Sequence, residues 1–380
     1  MSRQPVPKQL KDTGRRRLRA VGRLDRYSAR LFVTSYATAL LLVVGLFWVL
    51  DLAAHIDDFF EPWPDGTMVD SKLILRYHLL NLPYLFLQVA PFVTLVAGMF
   101  TVNRLLKANE VVAVLGAGVS AHRLLTPIFV GGLLAAIGMF GVREWASHSI
   151  ADARDALLDV LENHRFERVY HNLWLRDLDG NNLRLGSFHP GNEESEGAHV
   201  EDFEAIIRDG ASTKTILAHR ADWHSGTWIL TEGVSRTVSK ELEVGELHSL
   251  EDVDFTPKQA LSYRRARDNP LELSFSEVRK LMRRDPDNVV YRTLWQYHLT
   301  FPLANLVLLL VAIPVMLGYE RGRGSERMAL GMGMALFYFA TDFVCRTMGI
   351  QGALPPLISS WLPVLIFGSV GVVLFDSMRT

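Results

Sequence analysis

Six long apolar runs set the organisation of the chain. Most of them offer about 20 consecutive residues with few charges, the length that an α-helix needs to cross the hydrocarbon core of a bilayer. The runs cover residues 31–50, 73–100, 128–142, 294–317, 328–348 and 355–375. The pattern predicts a polytopic α-helical membrane protein with six transmembrane helices in a 3+3 arrangement, divided between residues 31–142 and 288–380.

The segment between the two halves, residues 143–287, has no run long enough to span. Within it the hydrophobic period changes to alternation around the dipeptide Asp179-Gly180, which is a hairpin signal. Similar dipeptides follow at 209–210 and 225–226. We predict an inserted β-jellyroll-like or sandwich domain with a core at about 167–258. The alternating leucines expected to face an apolar core or a lipid groove are Leu173, Leu175, Leu183 and Leu185.

A shorter amphipathic segment, at about 103–120, lies between the second and third runs. One stripe of a helix there would carry Leu105, Ala108, Val112, Leu115 and Val119, and the opposite side Asn103, Lys107 and Glu110. We predict a surface helix with Asn103 as its N-cap and a polar face open to a partner. The alternative is a loop that is amphipathic only because it joins two membrane helices.

Several apolar runs contain residues that are costly in lipid unless they face protein or water. The second run carries Arg76, His78, Asn81 and Gln88, which predicts either that it lines an interior or that these groups bond to neighbouring helices. Asp51 and His55 lie one turn apart at the end of the first run, and Asp342 and Arg346 one turn apart in the fifth. These pairs either share a functional face or reach the membrane boundary. Close helix packing is expected at Gly131, Gly132, Gly138 and Gly141.

Charge assigns the sides of the membrane. The tail at residues 1–30 is rich in arginine, as is the connection at 321–327, and basic residues flank the surface helix at Arg104, Lys107 and Arg123. Basic loops stay in the cytoplasm, whereas the acidic stretch at 57–65 indicates the outer side. We therefore expect both termini in the cytoplasm and the β domain in the periplasm.

Composition excludes several classes of protein. Hydrophobic residues make up 49% of the chain and the formal net charge is −1, which is typical neither of a nucleic-acid-binding protein nor of a disordered one. The sequence has no P-loop, serine-hydrolase or HExxH motif, so no catalytic residue is predicted. With one cysteine, Cys345, it forms no internal disulfide. The histidines nearest in sequence, His148, His164 and His171, straddle a change from helix to strand, and we predict neither a metal site nor a cofactor.

The end of the soluble segment reads as a capped helix. Ser274 and Glu277 have the spacing of a capping box, and Leu273 and Val278 that of a hydrophobic staple. This predicts a short connecting helix that ends before Pro286 and leads back to the membrane.

The chain has 3+3 spans around a β domain, the start LDRYSARLF, the segment NEVVAVLGAGVSAHRLLTP and the ending MGIQGALPPLISSWLPVLIF. In these features it resembles the LptF/LptG permeases of the lipopolysaccharide transporter. The combination of E-x5-G-x-G-x-S with LPP…WLP is specific, and the likeness covers nearly the whole chain. The resemblance implies a permease subunit of an ABC transporter in the bacterial inner membrane. The chain would extract lipopolysaccharide and pass it through its β domain toward the outer membrane.

The resemblance also implies partners. These are a second LptF/LptG-type permease, a dimeric LptB-type ATPase and an LptC-type periplasmic bridge, with no role for nucleic acid. In the family an acidic residue of the surface helix contacts the ATPase, and the matching position here is Glu110, flanked by Arg104 and Lys107. Two alternatives stay open: a subunit that transmits motion without carrying lipid, and a structural membrane protein whose β domain docks partners.

The sequence offers two candidates for holding the lipid phosphates. Basic residues that some family members place at the end of the first span are replaced here by acids, which leaves Lys72 and Arg76 as candidates. The expected lipid path is therefore formed by Asp51, His55, Lys72, Arg76, His78, Gln88, Asp342 and Arg346, followed by the four leucines of the β domain.

Overall fold

The computed structural model describes residues 22–56, 69–163, 168–191, 196–209, 212–238, 242–250, 253–318 and 324–378. The arginine-rich tail before residue 22 lies outside the described residues. So do the acidic stretch at 57–65, His164 and the two arginines at 321 and 323.

Within the described residues, six helices are long and apolar enough to cross a membrane, which confirms the predicted spans. They are α1 (Arg23–Ala54), α2 (Ser71–Lys107), α4 (Ala121–Ser149), α8 (Val289–Leu317), α9 (Gly324–Ile350) and α10 (Pro356–Asp376). Most of the helices continue beyond the apolar runs, because their polar ends lie against the β domain or at the opposite end of the bundle. We refer below to the β-domain end and the far end.

The surface helix is shorter than expected. Residue Asn103 is not an N-cap but lies inside α2, which continues to Lys107. The chain then breaks at Asn109, whose φ of 56° is left-handed, and α3 covers only Glu110–Gly116. This break resets the helical phase, so Val111 is buried and Val112 is 60% exposed. The predicted single stripe through Leu105 and Val112 is therefore wrong.

Helices α2 and α8 form the centre of the bundle. The side chain of Leu309 on α8 fits between two glycines, where an added Cβ would lie 2.4 Å from it at Gly98 and 2.6 Å at Gly132. The fully buried Thr94 donates a 2.6 Å hydrogen bond from Oγ1 to Oδ1 of Asn305, across the same interface. Small residues and buried hydrogen bonds are what hold helices together where burial from water contributes little.

The expected glycine contacts of α4 are confirmed only in part. Gly131 lies against Phe32 and Gly132 against Leu309, whereas no atom approaches within 4 Å of a Cβ built at Gly138 or Gly141. The prediction was wrong for the latter two, because they lie on an exposed face of the helix.

The β domain follows the short helix α5 (Ala151–Asn163). Its strands are β1 (Tyr170–Arg176), β2 (Asn182–His189), β3 (His199–Asp209), β4 (Ser212–His224), β5 (Thr227–Thr231), β6 (Val234–Val238), β7 (Leu242–Glu246) and β8 (Ser249–Leu250). They form one antiparallel sheet in the order β1-β2-β3-β4-β5-β8. The first half of β4 also pairs with β6, which pairs with β7.

Two of the predicted turns can be compared with the structure. Ser225 and Gly226, with φ of 50° and 90°, join directly paired residues, as a two-residue hairpin requires. The turn at Asp179-Gly180 is longer than the expected two residues, since strand pairing stops at Arg176 and Asn182. Buried Asp177 supports it by accepting hydrogen bonds from the backbone N–H groups of Asp179 and Asn181, at 3.0 and 2.8 Å.

A row of residues interrupts the strand alternation in β1 to β4 and at the connection from β5 to β6. The row consists of Asn172, Gly186, Asp202, His219 and Glu232, of which three have a φ of 50–56°. In β1 to β4 the buried positions on the two sides of the row are three apart rather than two, as at Tyr170 and Leu173. Because these strands shift at the same place, both halves of the sheet bury their side chains in one core.

This core is closed by two helices, α6 (Pro257–Asp268) and α7 (Phe275–Arg284), and by the start of α8. The four predicted leucines are buried within it, at 0–5% exposure, so they are packed core residues in this arrangement and do not line an open groove. The capping box that starts α7 is confirmed, with Ser274 and Glu277 bonded reciprocally. Leu273 and Val278 beside it are fully buried.

The interrupted row makes a prediction about Gly186. An alanine Cβ there would lie 2.7 Å from the Cβ of Asp202 and 2.9 Å from the carbonyl oxygen of Glu201. We expect Gly186→Ala to destabilise the β domain by about 1 to 3 kcal/mol, measured as a lower thermal midpoint and faster proteolysis of the full chain in detergent. Gly245→Ala is the control, because its Cβ would make an ordinary 3.4 Å contact with Ser235. Equal stability of the two variants would contradict the close approach.

Candidate functional site

A cavity of about 840 Å³ lies at the β-domain end of the bundle. Its walls come from α1, α2, α4, α8 and α9, and its roof from α5 and the turn after α6. The polar lining residues are Asp51, His55, Asn81, Gln88, Arg143, Arg154, Glu162, Asp268, Asn269, Glu272, Asp342, Arg346 and Thr347. The apolar and aromatic ones include Leu85, Leu87, Phe301, Phe339 and Phe343.

Two arginines enter this cavity with no carboxylate partner among the described residues. Arg346 donates a 3.2 Å hydrogen bond to the hydroxyl oxygen of Tyr297, and its guanidinium carbon lies 4.8 Å from the centre of that ring. Arg143 donates to the carbonyl oxygen of Leu271 at 3.1 Å and contacts the His298 ring at 3.2 Å. Within the described ranges no carboxylate oxygen lies within 4.0 Å of either guanidinium. Both groups keep N–H donors for an anionic ligand.

Asp51 gathers polar groups from two helices at the other side of the cavity. Its carboxylate accepts a 3.2 Å hydrogen bond from Nδ2 of Asn81 and lies 3.6 Å from Nδ1 of His78, both on α2. His55, one turn later on α1, approaches it at 3.9 Å. The expected Asp51–His55 pair is thus part of a larger group, and buried His78 belongs behind the cavity wall.

The roof is held by a chain of buried charges. The Arg154 guanidinium of α5 bonds Asp155 at 2.7 Å, contacts Glu272 and lies 4.0 Å from the centre of the Tyr84 ring on α2. Arg264 of α6 pairs with Asp159 at 2.9 Å, and Asp159 accepts a hydrogen bond from Tyr170 of β1. The bundle and the β domain are therefore joined through paired charges.

Burial and neighbouring charge oppose each other in this network. Burial by itself would lower the pKa of Arg154, but Glu272 and Asp155 outweigh it and raise the pKa above its usual value. Burial raises the pKa of Asp159, and the hydrogen bond from Tyr170 and the charge of Arg264 counteract this only in part. Arg154 is thus held as a cation by its two acids. Because these acids occupy its guanidinium, Arg154 is less available to a ligand than Arg143 or Arg346.

The cavity unites five of the predicted lipid-path residues, namely Asp51, His55, Gln88, Asp342 and Arg346. Asp342 and Arg346 share a face as expected, although no ion pair within 4.0 Å joins them among the described residues. Lys72 and Arg76 are exposed and do not line the cavity. Sequence reasoning missed Arg143 and Arg154. Arg143 stands at the end of an apolar run, and a charge in that position is the signal that could have identified it.

A second candidate site lies at the far end. The backbone break at Asn109 turns Glu110 toward α1, where it accepts a 2.8 Å hydrogen bond from the hydroxyl group of Tyr27. No described ion pair joins it to Lys107, the neighbour suggested by sequence. Val111 anchors α3 in a cluster with Leu31, Leu105 and Leu124. The surface around Glu110 carries the exposed side chains of Arg23, Arg26, Tyr27, Arg30, Arg104, Lys107 and Val112.

One known family matches nearly the whole chain. The family model described as lipopolysaccharide export system permease LptF/LptG matches residues 26–377. The match includes the helices on both sides of the inserted β domain, the cavity residues and the segment around Glu110. No curated protein matches the chain.

Proposed function

The chain belongs to the LptF/LptG family of lipopolysaccharide export permeases, and we propose that its cavity admits lipopolysaccharide from the outer leaflet of the bacterial inner membrane. Members of this family are transporter subunits and not themselves enzymes. In this proposal the chain pairs with a second permease, a separate dimeric ATPase supplies the work, and a periplasmic bridge receives the lipid.

The composition of the cavity carries this proposal. Lipopolysaccharide combines phosphorylated sugars with acyl chains, so a site for it needs cationic donors beside apolar walls. Arg143 and Arg346 supply donors with no described carboxylate oxygen within 4.0 Å, while Phe301, Phe339 and Phe343 supply apolar contact. A guanidinium offers paired N–H groups to phosphate oxygens, a geometry that lysine lacks.

The far end is suited to a partner. Glu110 lies among exposed basic side chains at this end of the bundle, and Val112, two positions later, is 60% exposed. An acid beside an exposed aliphatic side chain is complementary to a partner groove that contains a basic residue. We assign this surface to the ATPase, with Arg104 and Lys107 at its rim.

The two ends imply an orientation. We propose that the far end and both termini are cytoplasmic and that the β domain is periplasmic, because positively charged ends stay inside. Reporter fusions after Thr380 and after Lys107 are expected to give cytoplasmic signals and a fusion near Gly191 a periplasmic one. A cytoplasmic signal at Gly191 would reverse the orientation.

The lipid site predicts distinct effects for two sets of arginines. Replacing Arg346 or Arg143 by alanine removes charged hydrogen bonds worth about 1.5 to 3 kcal/mol, or on the order of 10- to 100-fold in lipid affinity. We expect a photo-crosslinker at Phe339 to capture much less lipopolysaccharide in these variants, in membranes that also contain the partner subunits. Arg346→Lys keeps the charge and is expected to keep part of the capture.

Arg76→Ala is the matched control, since Arg76 is exposed near the same end of the bundle but outside the cavity. Full capture with Arg76→Ala and reduced capture with Arg346→Ala supports the cavity. The opposite result would move the phosphate site to the start of α2. Unchanged capture in all variants would favour a subunit that transmits motion without carrying lipid.

Glu110 allows a test of the ATPase surface. If its only role were a local pair within the helix, truncation would cost about 0.2 to 0.5 kcal/mol. If it binds a basic residue in a desolvated groove, truncation would cost on the order of 2 to 5 kcal/mol of binding. We expect Glu110→Lys to insert normally, to lose most ATPase in copurification and to stop export. An acidic replacement of the partner's basic residue is expected to restore some binding.

Tyr27→Phe separates docking from internal packing. It removes the hydrogen bond to Glu110 and leaves the carboxylate in place, so ATPase recovery is expected to stay near the wild-type level. If Tyr27→Phe and Glu110→Lys lowered recovery equally, the hydrogen bond between α1 and α3 would explain both results. Normal ATPase recovery with Glu110→Lys would make α3 only a connector.

A further inference from the structure

Three potential metal ligands meet on the outer face of the β sheet, away from the membrane helices and the cavity. His189 at the end of β2 and His199 at the start of β3 are directly paired across the ladder. Their rings are stacked, with centres 4.2 Å apart and planes 10° from parallel. Glu201 follows two positions after His199 and shares its face. One ligand atom from each of the three lies within 4.8 Å of the others.

These distances are close to those of a bound metal. Zinc binds imidazole nitrogen at about 2.0 to 2.1 Å and carboxylate oxygen at about 2.0 to 2.2 Å, so tetrahedral ligand atoms are roughly 3.4 Å apart. Rotation of the three side chains, which turns the two stacked rings so that their nitrogens converge, would close the remaining gap.

The scaffold around the three residues is fixed. Gly191, directly beyond β2, approaches the backbone so closely that a Cβ would lie 2.3 Å from the Glu196 carbonyl oxygen. The ring nitrogen Nδ1 of His199 lies 3.1 Å from the carbonyl oxygen of Gly197. A hydrogen bond of this kind orients a metal-binding imidazole and leaves Nε2 for the metal.

The neighbouring charges leave Glu201 available. Arg220 faces it across the ladder but bonds to Asp222, with three contacts of 2.9 to 3.1 Å. In the described part of the chain no ion pair within 4.0 Å uses Glu201. Its carboxylate therefore remains exposed beside the two imidazoles.

We propose that His189, His199 and Glu201 bind a divalent transition metal, with zinc as the natural choice, and that a water completes the coordination. Two imidazoles and a carboxylate suit zinc, cobalt and nickel better than calcium or magnesium, which prefer oxygen ligands alone. A metal here would clamp β2 to β3. The site is independent of the lipid cavity and of the ATPase surface.

The test uses the full chain, purified in detergent without a histidine tag and stripped with a chelator. Cobalt serves as the probe, because its visible absorption reports coordination directly, and zinc competition gives the affinity. We expect one equivalent of cobalt with the spectrum of a nitrogen- and oxygen-ligated ion. Loss of an outer partner weakens metal sites 10- to 100-fold, so removing a direct ligand in His189→Ala or Glu201→Gln is expected to weaken binding more than about 100-fold.

His219→Ala is the matched control, since His219 is an exposed histidine of the same sheet outside the group. It is expected to keep the wild-type spectrum and affinity. Zinc is also expected to raise the thermal midpoint of the wild type and of His219→Ala but not of Glu201→Gln. The shape of the same unfolding curves shows whether each variant still unfolds cooperatively. Equal cobalt affinity in wild type and His189→Ala/His199→Ala, or no cobalt bound by the wild type, would overturn the proposal.

Discussion

The position of the β domain over the helix bundle depends on a cluster of buried charges where the membrane helices meet the β domain. Arg154 is 3% exposed, and a guanidinium there is tolerable only with acids beside it. Asp155 comes from the same helix, but Glu272 comes from the turn after α6, and Tyr84 from α2. The pairing therefore fixes the β domain over the bundle and thereby forms the roof of the cavity. Removing one partner would leave the others buried and uncompensated.

The cluster of buried charges also contacts the first strand of the β domain. Arg264 and Asp159 extend the paired charges to Tyr170, the first residue of β1. From there the interrupted row lets both halves of the sheet face one core, which α6 and α7 close. The buried leucines of β1 and β2 are then held between sheet and helices. In this arrangement a lipid could reach them only if the helices moved away, which would strain the same cluster of buried charges.

The two proposed sites are connected by one helix. α2 lines the cavity with Tyr84 and Gln88 and ends at Lys107, just before Glu110. Along its length it is locked to α8 by the pocket for Leu309 and by the bond between Thr94 and Asn305. A force applied at Glu110 would thus act on a packed pair of helices that reaches the cavity, which gives the proposed ATPase a mechanical route to the lipid site.

The sequence by itself determined the six spans, the inserted β domain, the capping box at Ser274 and the hairpin at Ser225-Gly226, because each follows from local periodicity or from one residue's backbone preference. It also placed Asp51 with His55 and Asp342 with Arg346, since one helical turn fixes such pairs. Only the tertiary structure decided that Arg143 joins Arg346, that Glu110 bonds Tyr27 and that His189 meets Glu201. These pairs come from separate elements, and the backbone break at Asn109 and the shifted row of the sheet alter the phase that local patterns assume. Contacts between distant segments depend on how whole surfaces pack, which periodicity within one segment does not encode.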